Sequence, residues 1–269
     1  MEIKYFLEKY DTKEDLMILS YLTDIKKEKL QLLRKYNIEE DIIEKFIYIK
    51  KLREKNYPLQ YIFKKWEFYG LELEVKENVL IPRFETELLV DEVLKFVKDN
   101  EKILDIGYGS GAISLALAKN SNSFVYGVDI SKHAYELANL NKKNLDIKNV
   151  DFLIGDVFSP FEDKDIVFDI IVSNPPYINK EDMESLQKEV LYEPTLALYG
   201  GVDGLDIYKK IIKDVGKYLK EDGLLFFEIG YNQFEDIKDM LSKNGFSEIK
   251  CIKDFSGFDR IICAKNKER

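Results

Sequence analysis

The stretch IVSNPPYI, residues 171–178, ends an apolar run with Asn174, two prolines and Tyr177. The amide oxygen of Asn174 and the backbone carbonyl of Pro175 are two acceptors on a rigid support, because Pro175 and Pro176 each fix φ and offer no backbone donor. Such acceptors would orient both N–H bonds of a planar amide or aryl amine and stabilise the positive charge that forms when its nitrogen is alkylated. Tyr177 would cover the flat group from water. The alternative is that Asn-Pro-Pro is only a turn.

A second group of candidate residues lies in LDIGYGSGA, where Gly107, Gly109 and Gly111 follow a predicted strand. Glycine permits a tight turn there and lets a ligand approach the backbone at the start of the next helix. With Ala112 the loop also satisfies the dinucleotide pattern G-x-G-x-x-G/A, so a nicotinamide enzyme has to be considered. Asp105 favours S-adenosylmethionine (SAM), because its carboxylate would repel a pyrophosphate and attract the ammonium group of a methionine moiety.

Acidic residues also end the next two predicted strands. Asp129 is placed to bind a ribose diol, which SAM and the nicotinamide cofactors share. Asp156 would accept a hydrogen bond from the adenine amino group, with Phe158 beside the ring. Two alternatives are ordinary capping roles, with Asp105 as a cap on the helix side and Asp129 as the N-cap of the helix that begins near Ser131. The acids and the glycine spacing together favour SAM.

The two groups suit one reaction. Methyl transfer from a sulfonium is a direct displacement, so an enzyme must hold the nucleophile in line with the methyl group and exclude water. Asn174 follows the fourth strand of the sheet, and open α/β folds bind their ligands at the carboxyl ends of their strands. No general base is required, because the proton can leave after the transfer.

Composition narrows the class of protein. A chain of 269 residues with 45% hydrophobic residues can bury a full core, and its length indicates one large domain or one large and one small domain. No run reaches the apolar length of a membrane span and the first residues are too acidic for a signal peptide, so we expect a cytoplasmic protein. A formal net charge of −9 disfavours a large nucleic-acid-binding surface. One histidine, with Cys251 and Cys263 outside any CxxC spacing, predicts no metal site.

The hydrophobic period changes once along the chain. Up to about residue 62 the apolar residues recur at helical spacing, in KEDLMILSYLTDI, KKEKLQLLRKY and NIEEDIIEKFIYIKKLREK. Near Pro58 the period shifts, and WEFYGLELEV with VLIPR predicts a strand pair. We therefore divide the chain into a helical N-terminal domain with the start of a linker hairpin, residues 1–72, and a second domain, residues 73–269.

Predicted strands alternate with predicted helices from residue 86 onward, which indicates an open parallel sheet covered by helices on both faces. The strand candidates are KILDI, FVYGVDI, VDFLIG, FDIIVSN, GLLFFEIG, SEIKCIKD and DRIICAK. Only FSGF separates the last two, so the last strand should insert antiparallel. Such a seven-stranded α/β domain resembles the Rossmann-like domain of the class I SAM-dependent methyltransferases.

The N-P-P-Y motif is shared by methyltransferases that act on planar nitrogen, either adenine N6 or the glutamine side-chain amide. Over nearly its whole length the sequence resembles the release-factor glutamine methyltransferase family (PrmC/HemK). The stretches that carry the resemblance are YPLQYI, WEFYG, VLIPRFETELLV, ILDIGYGSGAISLALA, VDIS, IVSNPPYI, YEPTLALYGGVDGLDIYKKII, LLFFEIG and GFDRIICAK. Their order and spacing match those of the family.

The resemblance implies a reaction, a cofactor and a partner. Members of the family transfer a methyl group from SAM, which becomes S-adenosylhomocysteine, to the side-chain amide nitrogen (N5) of a glutamine. That glutamine lies in the Gly-Gly-Gln loop of class I peptide-chain release factors, and a small helical N-terminal domain engages this substrate protein. We expect a monomer without direct contact to nucleic acid or membrane.

The resemblance also implies three overlapping groups of site residues. The catalytic group, which holds the glutamine amide, is Asn174, Pro175, Pro176 and Tyr177. The cofactor-binding group is Asp105, Gly107, Tyr108, Gly109, Ser110, Gly111, Asp129, Asp156, Phe158 and Asn174. The substrate-binding group adds four residues to the catalytic ones, namely Arg83, Glu85, Thr86 and Glu193.

The sequence departs from the family pattern at three places. Tyr108 replaces the usual threonine of the glycine loop, Phe84 replaces the proline of RPETE, and Lys64 and Lys65 replace a Gly-Glu pair before Trp66. The aromatic ring at position 108 would change the edge of the cofactor pocket. None of these positions belongs to the atoms expected to orient the methyl acceptor.

Three other functions remain open at this point. The first is glutamine methylation of a ribosomal protein, and the second is N6 methylation of adenine in nucleic acid. The acidic charge and the small helical N-terminus count against the adenine substrate. The third is a noncatalytic binding module, which the intact Asp105, Asp129 and Asn174 disfavour.

Overall fold

The computed structural model describes residues 2–30, 32–33 and 37–267. Its contacts divide the chain into two units, Met1–Phe63 and Lys64–Arg269. The second unit contains both strands of the hairpin at WEFYGLELEV, whereas the predicted boundary at residue 72 placed its first strand with the helices. No helix within the described residues is both long enough and apolar enough to cross a bilayer.

The described part of the first unit contains five helices, α1 (Ile3–Leu7), α2 (Lys13–Thr23), α3 (Lys27–Leu30), α4 (Glu40–Glu54) and α5 (Leu59–Phe63). Its core includes Phe6 and Phe46, whose rings meet edge to face with centroids 4.7 Å apart. Helix α2 begins with a capping box in which Thr12 and Asp15 exchange hydrogen bonds. Lys50 of α4 pairs with Asp15 at 2.7 Å and so joins the two longest helices of the unit.

The helix predicted over KKEKLQLLRKY is wrong in its length, because α3 ends at Leu30. Leu32 lies in a turn and Leu33 in irregular chain. The other residues of this stretch after Leu30, residues 31 and 34–36, lie outside the described residues. The Leu32 side chain is 81% exposed, so a longer helix would bury little apolar surface there.

The second unit contains a two-stranded hairpin and a seven-stranded sheet. The strands are β1 (Lys65–Phe68) and β2 (Leu71–Glu74) in the hairpin, then β3 (Lys102–Ile106), β4 (Phe124–Asp129), β5 (Val150–Ile154), β6 (Phe168–Ser173), β7 (Leu219–Glu228), β8 (Phe246–Lys253) and β9 (Asp259–Asn266). The strand order is β5-β4-β3-β6-β7-β9-β8, and β9 is antiparallel to both of its neighbours. The predicted sheet and the antiparallel insertion of its last strand are confirmed.

Neighbouring residues of the central strands pack into different cores. In β3, Ile103 belongs to one hydrophobic cluster and Leu104 to another, and in β6 Ile170 and Ile171 divide in the same way. The helices of the unit are α6 (Glu87–Leu94), α7 (Ala112–Lys119), α8 (Lys132–Asn144), α9 (Lys180–Glu184), α10 (Asp206–Val215) and α11 (Phe234–Lys243). Residues of α6, α7 and α8 complete the first cluster, and residues of α10 and α11 complete the second. Because both faces are covered, these strands are nearly continuous apolar runs.

Residues 79–83, predicted to pair as a strand, form irregular chain instead. Val79 and Ile81 are buried, so their apolar pattern reflects burial rather than strand pairing. The backbone N–H of Ile81 donates to a carboxylate oxygen of Glu193 at 3.0 Å. A side chain therefore satisfies a backbone group that a neighbouring strand would otherwise have satisfied.

The direction of the chain across the sheet reverses at β3. Strand β4 lies on one side of β3 and β6 on the other, which makes their carboxyl ends the topological switch point where open α/β sheets bind ligands. The two strand ends are also joined by a side chain, since the Ser173 hydroxyl donates to the Ile106 carbonyl at 2.7 Å. The loops after β3 and β6 are therefore held side by side.

Candidate active site

A cavity of about 280 Å³ opens at this switch point. It is lined by the glycine loop after β3, the ends of β4 and β5, the corner after β6, and residues 79–86. The predicted site residues that line it are Arg83, Thr86, Gly107, Tyr108, Gly109, Ser110, Asp129, Asp156, Asn174 and Pro176. Seven predicted residues of the described chain lie outside the lining, namely Glu85, Asp105, Gly111, Phe158, Pro175, Tyr177 and Glu193.

The glycine loop has a backbone that requires glycine. Gly107, Gly109 and Gly111 have φ values of 79°, 54° and 83°, in the left-handed region that L side chains avoid. At Gly111 a Cβ would also lie 2.9 Å from the ring of Phe152. The loop is held from the neighbouring strand, because the Gly109 N–H donates to a carboxylate oxygen of Asp129 at 2.9 Å.

Asp129 lines the cavity and also organises the chain around it. Its second carboxylate oxygen accepts a hydrogen bond from the backbone N–H of Ser131 at 2.8 Å. The N-cap of α8 is Ser131, whose hydroxyl accepts from the Ala134 N–H, so the alternative that Asp129 is that N-cap is wrong. Burial raises the pKa of Asp129, while its bonds to the Ser131 and Gly109 amides oppose this change.

Asp105 lies beneath the glycine loop and is fully buried. One carboxylate oxygen accepts a hydrogen bond from the Ser114 hydroxyl at 2.5 Å, and the other has no hydrogen-bond partner among the described residues. Burial raises the pKa of Asp105 to about 7, and the negative charge of Asp129 adds to this effect. The predicted contact between Asp105 and a cofactor ammonium group therefore stays a prediction, and the carboxylate contacts the helix that begins after the loop.

Tyr108 fills space that a neighbouring glycine leaves. Its ring packs against Phe152 with centroids 4.7 Å apart, and a Cβ at Gly127 would lie 2.8 Å from the Tyr108 ring. The Tyr108 hydroxyl is buried without a hydrogen-bond partner in the described chain. The aromatic residue is therefore accommodated by β4 rather than by a displacement of the loop.

In the loop after β5, Val157 takes the place in the cavity lining that was predicted for Phe158. Phe158 is buried and stacks on Tyr218 with centroids 4.4 Å apart, whereas Val157 lines the cavity. Val157 has a φ of 53°, which is unfavourable for a β-branched residue and turns the next side chain into the core. Asp156 also lines the cavity and forms an ion pair with Lys210 of α10.

The Asn174 corner is joined to two other segments by hydrogen bonds. The Asn174 side-chain nitrogen donates to the Thr86 hydroxyl oxygen at 3.1 Å, and that hydroxyl donates to the Glu228 carboxylate at 2.7 Å. The Tyr177 hydroxyl lies 3.4 Å from the other carboxylate oxygen of Glu228, which is a long hydrogen bond. Since its nitrogen donates to Thr86, the side-chain oxygen of Asn174 is the end of the amide that can accept a hydrogen bond from a substrate N–H.

Two glycines and a glutamine support the corner from behind. A Cβ at Gly200 would lie 2.5 Å from the Pro176 carbonyl oxygen, and one at Gly204 would lie 2.4 Å from the Tyr177 carbonyl oxygen. The Gln233 side-chain nitrogen donates to the Tyr177 and Gly204 carbonyls at 3.0 and 3.2 Å. None of these three residues was predicted to belong to the site, although the glycines of YGGVDG indicate a segment in which backbones pack closely.

Arg83 and Glu193 form an ion pair beside the cavity. Glu193 is 5% exposed and also accepts the Ile81 N–H, so it anchors the segment that carries Arg83. Glu85 and Phe84 are exposed, and the Phe84 side chain is 70% exposed. Of the four residues that the substrate-binding group adds to the catalytic ones, Arg83 and Thr86 thus line the cavity. Glu193 anchors the segment of Arg83, and Glu85 lies at the surface.

The lining residues fit SAM better than a dinucleotide. The Gly109 N–H, a donor that a pyrophosphate would need, is already bonded to Asp129. Asp129 and Asp156 add two carboxylates, which disfavour a pyrophosphate but suit a ribose diol and an amino group. Across the described residues, no cluster of His, Cys, Asp and Glu is suited to hold a metal ion.

Comparison with known proteins identifies similar sequences and a similar fold. Residues 97–254 match a family model described as a methyltransferase domain. The chain is 45% identical to the release factor glutamine methyltransferase of Fusobacterium nucleatum, in a match that covers 84% of this chain and 65% of that protein. It is 38% identical to the protein of the same name from Clostridium acetobutylicum, with 85% and 82% of the two chains covered.

The solved structures agree with these matches in fold. A methyltransferase from Pyrococcus furiosus superposes with a TM-score of 0.58 at 21% identity, covering 82% of this chain and 99% of that chain. At this level of identity the likeness concerns the fold alone. The seven-stranded sheet is therefore that of a class I methyltransferase.

Proposed function

Because the chain belongs to the release factor glutamine methyltransferase family, we propose that it methylates N5 of the glutamine in the Gly-Gly-Gln loop of class I peptide-chain release factors, with SAM as the methyl donor. The observation that carries the proposal is the Asn174 corner, which lines the cavity and whose side-chain nitrogen is bonded to Thr86, so that the side-chain oxygen is the end of the amide that can accept from a substrate. The matched relatives carry this activity in their names.

Asn174 and Pro175 bind the amide that is methylated. The Asn174 side-chain oxygen accepts one N–H bond of the glutamine amide, and the Pro175 backbone carbonyl accepts the other. The hydrogen bonds to both acceptors become stronger as positive charge forms on the nitrogen. The acceptors therefore stabilise the transition state more than the bound substrate. Gly200, Gly204 and Gln233 keep them rigid, because these residues pack against the backbone of the corner.

The glycine loop and two acidic residues hold the cofactor. Gly107 and Gly109 would leave room at the backbone, Asp129 would bind the ribose diol, and Asp156 would accept a hydrogen bond from the adenine amino group. When bound there, SAM supplies an electrophilic methyl group on its sulfonium. The glutamine amide nitrogen, held by Asn174 and Pro175, would take up this methyl group and lose one proton, with S-adenosylhomocysteine as the second product.

The cavity wall excludes water from the reacting groups. Pro176, Pro194 and Leu196 line it beside Asn174 and offer no side-chain hydrogen-bonding group to water. The exclusion strengthens the attraction between the two acceptors and the charge forming on the amide. Tyr177 does not line the cavity. Its ring packs against the second hydrophobic cluster and supports the corner from that side.

Partner binding is assigned to the helical part of the chain. We place release factor docking on residues 1–72, since the residues that line the cavity, apart from Phe68, all follow that segment. A net charge of −9 supports a protein partner rather than a nucleic acid. We also propose that the protein works as a monomer in the cytoplasm.

Mass spectrometry of a methylated release factor tests the proposal. The protein is incubated with SAM and a purified class I release factor, and the peptide that contains Gly-Gly-Gln is analysed. We expect one added methyl group on the glutamine, and a decrease of at least about 100-fold in rate for Asn174→Ala, because one of two transition-state acceptors is lost. Asn122→Ala, an exposed asparagine outside the cavity, is the matched control.

The result can contradict the proposal in two ways. Full activity of Asn174→Ala would remove the proposed role of the corner. If the enzyme binds S-adenosylhomocysteine but the glutamine of the release factor stays unmodified, release factors are excluded as substrates. A ribosomal protein and then adenine in nucleic acid would be tested next.

A further inference from the structure

We propose that Thr86 and Glu228 are positioning residues for methyl transfer, which act by fixing the orientation of the Asn174 amide. The Glu228 carboxylate orients the Thr86 hydroxyl, and the hydroxyl then accepts only from the amide nitrogen of Asn174. The catalytic consequence rests on the proposed function, whereas the hydrogen-bond relay itself is a property of this chain.

The three residues come from different parts of the second unit and meet at one point. Thr86 lies directly before α6, Asn174 follows β6, and Glu228 is the last residue of β7. Thr86 is 4% exposed and Glu228 is 2% exposed, so water does not compete for their hydrogen bonds. The distances along the relay are 3.1 Å from Asn174 to Thr86 and 2.7 Å from Thr86 to Glu228.

The relay has a defined direction when Glu228 is ionised. A carboxylate can only accept, so the single proton of the Thr86 hydroxyl points to Glu228. The hydroxyl oxygen is then available as an acceptor, and only the nitrogen end of the Asn174 amide can donate to it. An amide turned by 180° would place its oxygen against the Thr86 oxygen and present its NH₂ group to the NH₂ group of the substrate.

Protonation of Glu228 would remove this direction. A protonated carboxyl can donate to Thr86, whose own proton can then turn to the oxygen of a flipped Asn174 amide. The charged and titratable groups around Glu228 are Arg260 on β9, Glu85 before α6, Tyr177 after β6 and Tyr208 on α10. Burial raises the pKa of Glu228 to about 7, while the Thr86 hydrogen bond and Arg260 act to lower it.

Glu228 was not predicted as a site residue, because it belongs to no motif and lies in the predicted strand LLFFEIG. A buried carboxylate costs free energy unless hydrogen bonds satisfy it. Here the bonds come from Thr86 and, at a longer distance, Tyr177, and both partners belong to segments around the cavity.

The first test compares two substitutions of Thr86 in the full-length protein. Thr86→Val keeps the shape of the side chain and removes the hydroxyl, whereas Thr86→Ser keeps the hydroxyl. We expect kcat for release factor methylation to fall about 10- to 100-fold in Thr86→Val and about threefold or less in Thr86→Ser. The affinity for S-adenosylhomocysteine should stay close to that of the wild type in both variants. The Tm should fall by a few degrees in Thr86→Val, which leaves the buried Glu228 side chain with only the long Tyr177 bond in the described chain, and should stay close to that of the wild type in Thr86→Ser.

The pH dependence of kcat separates positioning from a structural role. The rate of the wild type and of Thr86→Ser should rise as Glu228 ionises around pH 7, and this rise should be absent in Thr86→Val and Glu228→Gln. A purely structural role would lower the rate equally at every pH. A value of kcat in Thr86→Val within twofold of Thr86→Ser would overturn the proposal.

A spectroscopic test reads the relay without any substrate. In protein labelled with ¹⁵N-asparagine, the side-chain signal of Asn174 is assigned by its loss in Asn174→Ala. We expect that signal to shift around pH 7 in the wild type and in Thr86→Ser, and to stay constant in Thr86→Val and Glu228→Gln. If the wild type does not methylate release factors, the proposed function fails, and this titration alone decides whether the relay exists.

Discussion

At the scale of single residues, two buried acids have unlike surroundings. Glu228 receives the Thr86 hydroxyl and lies near Arg260, whereas Asp105 has one hydrogen bond and one oxygen without a partner in the described chain. Burial raises the pKa of each carboxyl to about 7. Near neutral pH both carboxyls are therefore partly protonated, and the ionised form of Asp105 is stabilised by the hydrogen bond from Ser114.

Asp105 should make stability decrease with rising pH. The pKa of Asp105 is about 7 in the folded protein and near 3.8 in the unfolded chain. Between pH 3.8 and 7, the folded state therefore retains a proton that the unfolded state has lost. The free energy of unfolding of the wild type should therefore fall, relative to Asp105→Asn, by roughly 2 kcal/mol between pH 5 and 8. Chemical denaturation of the cofactor-free protein at both pH values measures this difference.

The control for this experiment is Asp163→Asn, which removes the charge of an exposed aspartate. A difference between wild type and Asp105→Asn that does not change with pH would contradict a raised pKa of Asp105.

Residue types predicted the location of the site better than the orientation of its side chains. The glycine spacing and the N-P-P-Y corner led to the cavity, because loops after adjacent parallel strands must meet. The exchange between Val157 and Phe158 could not be predicted, since it depends on a positive φ at a β-branched residue. Glu228 was missed because its role arises from three segments that are distant in sequence.

At the scale of elements, the loop that contains Gly200 and Gly204 determines the shape of the Asn174 corner. The Gly200 N–H donates to the Ile178 carbonyl at 2.9 Å, and the Ile178 N–H donates to the Leu198 carbonyl at the same distance. The corner and the loop are thus joined by a single parallel bridge between Ile178 and Tyr199. Hydrophobic periodicity predicted the regular strands, but it carries no information about a pairing this short.

Gly200→Ala should damage methyl transfer by displacing the corner. Its new Cβ would lie 2.5 Å from the Pro176 carbonyl oxygen, so either the loop or the corner must move. We expect kcat to fall at least about tenfold, with an affinity for S-adenosylhomocysteine that stays within about threefold. Rate measurement and calorimetric titration of the same preparation separate these effects.

Gly216→Ala is the matched control, because a Cβ there meets no atom within 4 Å. Equal losses of activity in the two variants would show that the close contact at Gly200 is not the cause.

At the scale of the whole molecule, the cavity belongs to one unit. Every residue that lines it follows Lys64, and the first unit has its own core around Phe6 and Phe46. The helical period was predicted to end at about residue 62, next to the division after Phe63, but the boundary itself was predicted at residue 72, beyond the first strand of the hairpin. What the helical unit binds remains a prediction, since docking surfaces carry no periodic pattern.

Phe46→Ala should therefore separate partner binding from cofactor binding. Phe46 is fully buried, and its removal should destabilise the helical unit by about 3–5 kcal/mol. We expect the KM for the release factor to rise strongly, while the affinity for S-adenosylhomocysteine does not change. Steady-state kinetics with varied release factor concentration, together with calorimetric titration, provide the two values.

The control is Ile47→Ala, which truncates the next residue of α4 where the side chain is 41% exposed. If Phe46→Ala loses affinity for S-adenosylhomocysteine and Ile47→Ala does not, cofactor binding depends on the core of the helical unit, and the prediction is wrong.

The contact between Tyr108 and Gly127 constrains how this sequence can have evolved. Any side chain at position 127 would overlap the Tyr108 ring, because a Cβ there would lie 2.8 Å from it and 2.7 Å from Phe152. A lineage can therefore acquire tyrosine at 108 only on a background that already has glycine at 127. Because Phe152 by itself excludes a Cβ at position 127, the glycine is required whichever residue stands at 108, and the tyrosine ring occupies space that this glycine leaves open.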